Sequence, residues 1–134
     1  MQVLFESIWN KYNGSSGLKA ATTGGMYFTE APQGSSYPYG VYNLISDVPS
    51  WVFGTGSNTT MENCIIQFNL FDDNSSSEDI NTAYTALTGL YDWCNDLNTS
   101  GYSNIYMKRE LSSLTRESGI FNYMIQYRIE IQAE

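Results

Sequence analysis

Apolar side chains recur along the chain at two different periods, and the switches between them lay out the elements. Between residues 2 and 12, Leu4, Ile8 and Tyr12 share one helical face with Phe5 and Trp9 alongside, and Asn13-Gly14 follows as a stop signal. The next stretch, GSSGLKAATTGG, is rich in breakers and reads as a flexible connection into a first strand, GMYFTE, at 25–30. A second strand covers 39–48 and is β-rich on both faces. The third is the clearest: Cys64, Ile66, Phe68 and Leu70 alternate with Asn63, Gln67 and Asn69.

After DDNSSSED (72–79) the period changes to three and four. A serine in this run can cap a helix, with Glu78 and Asp79 favouring its positive end. Ile80, Ala83, Tyr84, Leu87, Leu90, Tyr91, Cys94 and Leu97 then form one stripe over about five turns, ended by Asn98 and Gly101. Two strands close the chain, at 104–117 and, beyond Gly119, from Phe121 to Ile131. In the last one Tyr123, Ile125, Tyr127 and Ile129 alternate with polar residues, as expected of a strand with one buried face.

The predicted order is α-β-β-β-α-β-β. An α+β domain with a mixed, largely antiparallel sheet of about five strands and two helices on one face buries every stripe at once. No repeat, linker or composition shift divides residues 1–134, so a single domain is expected. A chain of this length buries roughly two-thirds of its unfolded surface.

Charge narrows the function classes. Fourteen acidic and six basic residues give a formal charge of −8, which repels nucleic-acid phosphates and opposes tight DNA or RNA binding. Charged residues make up 15% of the chain against a usual figure of about 25%, and the polarity is carried by neutral side chains instead. The N-terminus has no basic n-region or cleavage site, so no signal peptide is read there, and no apolar run is long enough for a membrane helix. Four N-x-[ST] matches, at Asn13, Asn58, Asn74 and Asn98, are what abundant Asn, Ser and Thr give by chance.

Candidate chemistry is sparse. The chain has no histidine, hence no imidazole base or ligand. Cys64 and Cys94 both lie on core stripes, lack CxxC spacing and have no basic neighbour in sequence, so buried thiols are expected. DDNSSSED lacks the glycine and terminal glutamate of an EF-hand loop. FGTGS is a lone G-x-G with no helix after it, not a phosphate-binding motif. No catalytic residue, metal ligand or cofactor site is assigned, and an enzyme is not expected. Binding is the remaining class. The connection PSWVFGTGSNTT (49–60) holds Trp51 and Phe53 among Gly54 and Gly56, where aromatic side chains either tuck onto the core or meet a partner.

One stretch carries a family resemblance. GGMYFTEAPQGSSYPYGVYNLIS (24–46) places a strand after paired glycines, a turn at Ala31, Pro32, Gln33 and Gly34, and a Tyr37-Pro38-Tyr39 step into the second strand. It resembles the signature of short bacteriophage tail-completion (tail-terminator) proteins. The resemblance covers most of the chain in organisation and about twenty residues in motif. It implies a structural virion protein: a ring subunit, hexameric as such rings typically are, at the head-proximal end of the tail tube. Its implied partners are further copies of itself, the tail tube protein and the head–tail connector, with DNA passing through the lumen without specific binding. The ring would be made in the bacterial host cytoplasm, with no membrane partner. Trp51, Phe53, Gly54 and Gly56 are the interface candidates. The alternatives are another head–tail connector or neck component, and a small carbohydrate- or ligand-binding domain. Tyr39 and Tyr42 fall on opposite strand faces, so the signature itself reads as a rigid connection rather than a tyrosine patch.

Overall fold

The computed structural model describes residues 2–51, 60–97, 99 and 101–133; of these, the side chains of Ser50, Trp51, Thr60, Asn104, Ile105 and Ala133 are not described. Helix α1 spans Gln2–Asn13 and buries Leu4, Ser7, Ile8 and Tyr12, the face anticipated from the spacing. A short second helix, α2 (Ser16–Ala21), occupies the stretch read as a flexible connection. Two local features outweigh its glycines. Ser15 accepts a hydrogen bond from the Leu18 amide at 3.2 Å, and Leu18 is buried in the core. At its end the Thr22 hydroxyl bonds the Leu18 carbonyl at 2.8 Å and lies 3.1 Å from the Tyr12 hydroxyl.

The strands are β1 (Met26–Phe28), β2 (Tyr39–Trp51), β3 (Thr60–Asp72), β4 (Tyr102–Glu117) and β5 (Ile120–Ala133), with helix α3 (Glu78–Tyr91) between β3 and β4. They form one sheet in the order β1-β2-β3-β5-β4. The β1–β2 pair is parallel and the others are antiparallel, so the sheet is mixed and the chain α+β, with its elements in the anticipated order along the chain apart from the added α2. β2 and β3 pair as far as Trp51 and Thr60, so the hairpin is longer and its connection shorter than the pattern suggested. Pro49 sits inside β2 because β1 reaches only Gly40–Tyr42, and beyond that the missing N–H falls on an unpaired edge.

The core lies between the helices and one face of the sheet. Cys64, Ile66, Phe68 and Leu70 of β3 meet Ile125, Tyr127, Ile129 and Ile131 of β5 there, all buried. Phe68 is the centre of an aromatic group, with its ring 4.9 Å from Tyr91, 5.9 Å from Tyr127 and 5.9 Å from Tyr42. The polar ends of these tyrosines find partners. Tyr91 donates to the Ile8 carbonyl at 2.8 Å and Tyr127 to Asp92 at 2.6 Å.

The long stripe predicted to run through Leu97 is one helix only as far as Tyr91. Asp92 turns extended, Trp93 takes φ +56°, and Cys94 forms an isolated bridge with Met107. Asp92 is held by the Tyr127 hydroxyl and by an ion pair with Arg109 at 3.3 Å, which draws the chain toward the sheet. Cys94 and Leu97 are buried all the same, so their spacing mimicked two more turns. At the other end of α3, no serine side chain caps Ser77's helix position. Ser76 instead accepts from the Glu78 amide at 3.2 Å. The Asn74 amide bonds Asp72 and Asp79, tying the acidic run to itself.

Candidate functional site

The signature stretch folds as a connection but also builds a cleft. Gly24 donates to the Pro38 carbonyl at 2.9 Å, and a side chain at Gly24 would collide with the Ser36 carbonyl at 1.6 Å, so only glycine permits this approach. Gly34 takes φ +84° in the turn, and the Tyr37–Pro38 peptide is cis. Between this connection and the uncovered face of the sheet lies an open cleft of about 530 Å³, walled by Ala31, Pro32, Gln33 and Gly34. Its floor is Tyr37, Tyr39 and Phe71, with ring centroids 5.3 and 5.1 Å apart along the row.

The expectation about the tyrosines is thereby corrected in part. Tyr42 does turn into the core and away from Tyr39. Tyr37 and Tyr39 nevertheless join in one aromatic surface, their rings in direct contact, and Phe71 of the neighbouring strand, in register with Tyr39, extends it on the far side of Tyr39. That third ring comes from 32 residues further on (71 − 39), and sequence offered only its place on the polar side of β3. Among the described residues no charged side chain lines the cleft, and Asn43 and Asn69 supply neutral donors and acceptors.

Next to the cleft, the uncovered face carries a row of amides. Gln126 donates to Gln67 at 2.9 Å, Gln67 to Asn69 at 2.8 Å, and Asn69 to Asn122 at 3.0 Å. An Arg128–Glu110 ion pair at 2.5 Å continues the polar surface toward β4.

Of the interface candidates, Trp51 closes β2, opposite Thr60. Its side chain, and all of Phe53, Gly54 and Gly56, lie outside the described residues. Among the described residues, large apolar side chains are exposed at Trp9, Phe28, Ile45, Val48, Trp93, Leu111 and Leu114.

The thiols are buried, as their stripes imply. Cys64 lies 3.7 Å from an Asp47 carboxylate oxygen, and burial with that neighbour pushes its pKa up to about 12. Cys94 donates to Asp96 at 3.0 Å and is also pushed up by burial. Lys11, far away in sequence, bonds the same Asp96 at 2.9 Å and brings a cation near Cys94, but burial still dominates. Asp47, Glu62 and Cys64 place their polar atoms within 4.8 Å of one another. Burial, then the charge of Asp47, raise the Glu62 carboxyl above its ordinary value, and its Oε2 is buried with no hydrogen-bond partner among the described residues. Two mutually repelling carboxyls beside a protonated thiol do not make a convincing cation cage.

Neither a family model nor a curated protein matches the chain. Among solved structures, a chain from the virion of a native gene transfer agent (GTA) particle is similar, with a TM-score of 0.75 at 10% identity. The likeness spans 94% of this chain and 92% of that one. The two share a fold across nearly their whole lengths.

Proposed function

We propose that this chain is a structural virion protein, a subunit of a ring, hexameric, that caps the head-proximal end of a phage tail tube. In this role it ends tube polymerisation and joins the tail to the head connector. The observation that carries the reading is the end-to-end fold likeness to a chain of a phage-like virion particle. The signature at 24–46 adds to it, since its glycine and turn positions have local structural reasons. The β2–β3 connection in sequence, with Trp51, Phe53, Gly54 and Gly56, supplies the contact to the tube or to a neighbouring subunit. A formal charge of −8 suits a channel that DNA passes without adsorbing.

Mass photometry of the purified protein, alone and with tail tubes, tests this. A discrete ring mass, or ring formation at tube ends, is expected; a monomer that ignores tube ends defeats the reading. Another neck or connector role would instead show association with the connector and none with tubes.

A second reading has one specific observation behind it. The cleft's aromatic floor and neutral amides suit an uncharged, hydroxyl-rich ligand such as a saccharide, whose apolar faces stack on rings. Binding on a glycan array, abolished by Tyr39→Ala and Phe71→Ala, would favour it.

A further inference from the structure

We infer that the two outer edges of the sheet are the halves of one heterologous contact, the β4 edge of one copy of this chain lying against the β2 edge of the next. The inference rests on the ring reading above and gives it an interface. β1 covers β2 only at Gly40–Tyr42, so from Asn43 onward no described strand pairs with that edge. β4 pairs inward with β5, and outward, among the described residues, it has only the bridge from Met107 to Cys94.

Each free edge carries two large apolar side chains three positions apart. On β4 they lie on opposite faces of the sheet, Leu111 beside Gln126 and Leu114 beside Tyr123, so a strand added to that edge would meet one on each face. Ile45 and Val48 are 50% and 58% exposed on β2, and Leu111 and Leu114 are 46% and 40% exposed on β4. Four of the seven exposed large hydrophobics among the described residues therefore fall on these two short segments. Scattered surface apolar residues need no explanation, but matched pairs on opposite edges suggest surfaces that cover one another.

Charge has the same polarity. β2 and β3 contain no Lys or Arg, and they bring Asp47 and Glu62 together. β4 contributes Lys108, Arg109 and Arg116 against Glu110 and Glu117, a small positive excess where β2 and β3 have none. Arg109 is committed to Asp92, and Glu110 to Arg128, whereas Lys108 and Arg116 have no ion pair among the described residues. Unlike edges attract, and two β2 edges repel one another, which favours a head-to-tail contact over a two-fold one.

Strand direction agrees. The β2–β3, β3–β5 and β5–β4 pairs are each antiparallel, so β4 runs opposite to β2. A rotation that preserves strand direction brings the two edges together antiparallel. Pro49 and the bulges at Leu44/Ser46 and Arg109/Leu111 interrupt both edges, which keeps them from templating any passing strand. What remains selective is the match of side chains.

Two double variants test this: Ile45→Asp with Val48→Asp, and Leu111→Asp with Leu114→Asp. Each is expected to keep the monomer's circular dichroism and to weaken self-association by about a hundredfold or more in sedimentation velocity. Mixed in equal amounts, the two should form pairs and stop there, since each retains one sound edge. If either Asp variant fails to fold, the corresponding Ser variants take its place, with the same expectation. Wild type that assembles while both variants assemble equally well overturns the inference and leaves the ring reading standing. Self-pairing of a single variant also overturns it, because that contact would be two-fold. Wild type that remains monomeric at every concentration and at tube ends sinks both.

Discussion

On β3 and β5, side chains one residue apart live under opposite conditions. Ile66, Phe68, Ile125 and Tyr127 are sealed beneath the helices, while Gln67, Asn69, Asn122 and Gln126 stand half-buried on the uncovered side in a hydrogen-bonded row. The covered face is dense, aromatic and self-sufficient, since its hydroxyls end on protein partners. The uncovered face joins neutral amides to an aromatic cleft and two interrupted edges. Stability is concentrated on the first face, and the features proposed for recognition lie outside it.

Substitutions can break that division, and the largest effect belongs to the core. Phe68→Ala should lower unfolding free energy by about 3–5 kcal/mol in urea titration, because three surrounding rings cannot close the gap. Tyr127→Phe keeps the ring and removes the donor to Asp92. A loss of about 1–2 kcal/mol is expected, moderated because Arg109 still pairs with that carboxylate. Asn122→Ala, at the end of the amide row, should cost less than about 1 kcal/mol. If Asn122 proved as costly as Phe68, the uncovered face would be structural and the comparison would fail.

The smallest effect is the one that depends on pH. Glu62 has its carboxyl raised above the ordinary value of 4.5 by burial and by Asp47. The folded protein thus holds this proton in a window above pH 4.5 where the unfolded chain has released it. Stability falls as pH rises through that window. Glu62→Gln removes the effect, so its melting temperature should exceed that of wild type at pH 7 and match it below pH 4. An equal gain at both would mean that the charge of Glu62 is irrelevant.

The sheet was legible in sequence because alternation is a short-range signal. β3 and β5 follow it residue by residue, and the covered face could be named from Cys64 to Ile131. What was misread depended on distant partners. α2 forms in a breaker-rich stretch because Leu18 finds the core and Ser15 caps it. α3 stops at Tyr91 because Tyr127 and Arg109, on strands further along the chain, hold Asp92. The cleft needed Phe71 beside Tyr39, which only strand register decides. The free edges were equally hidden, since strand order cannot be read from periodicity.

If this chain terminates a tail tube, as proposed, it should limit tube growth. Tail tube protein should be polymerised with and without the chain present in substoichiometric amounts, and tube lengths measured by electron microscopy. Shorter tubes are expected, each bearing extra density at one end. Tubes of unchanged length with bare ends would contradict the proposal.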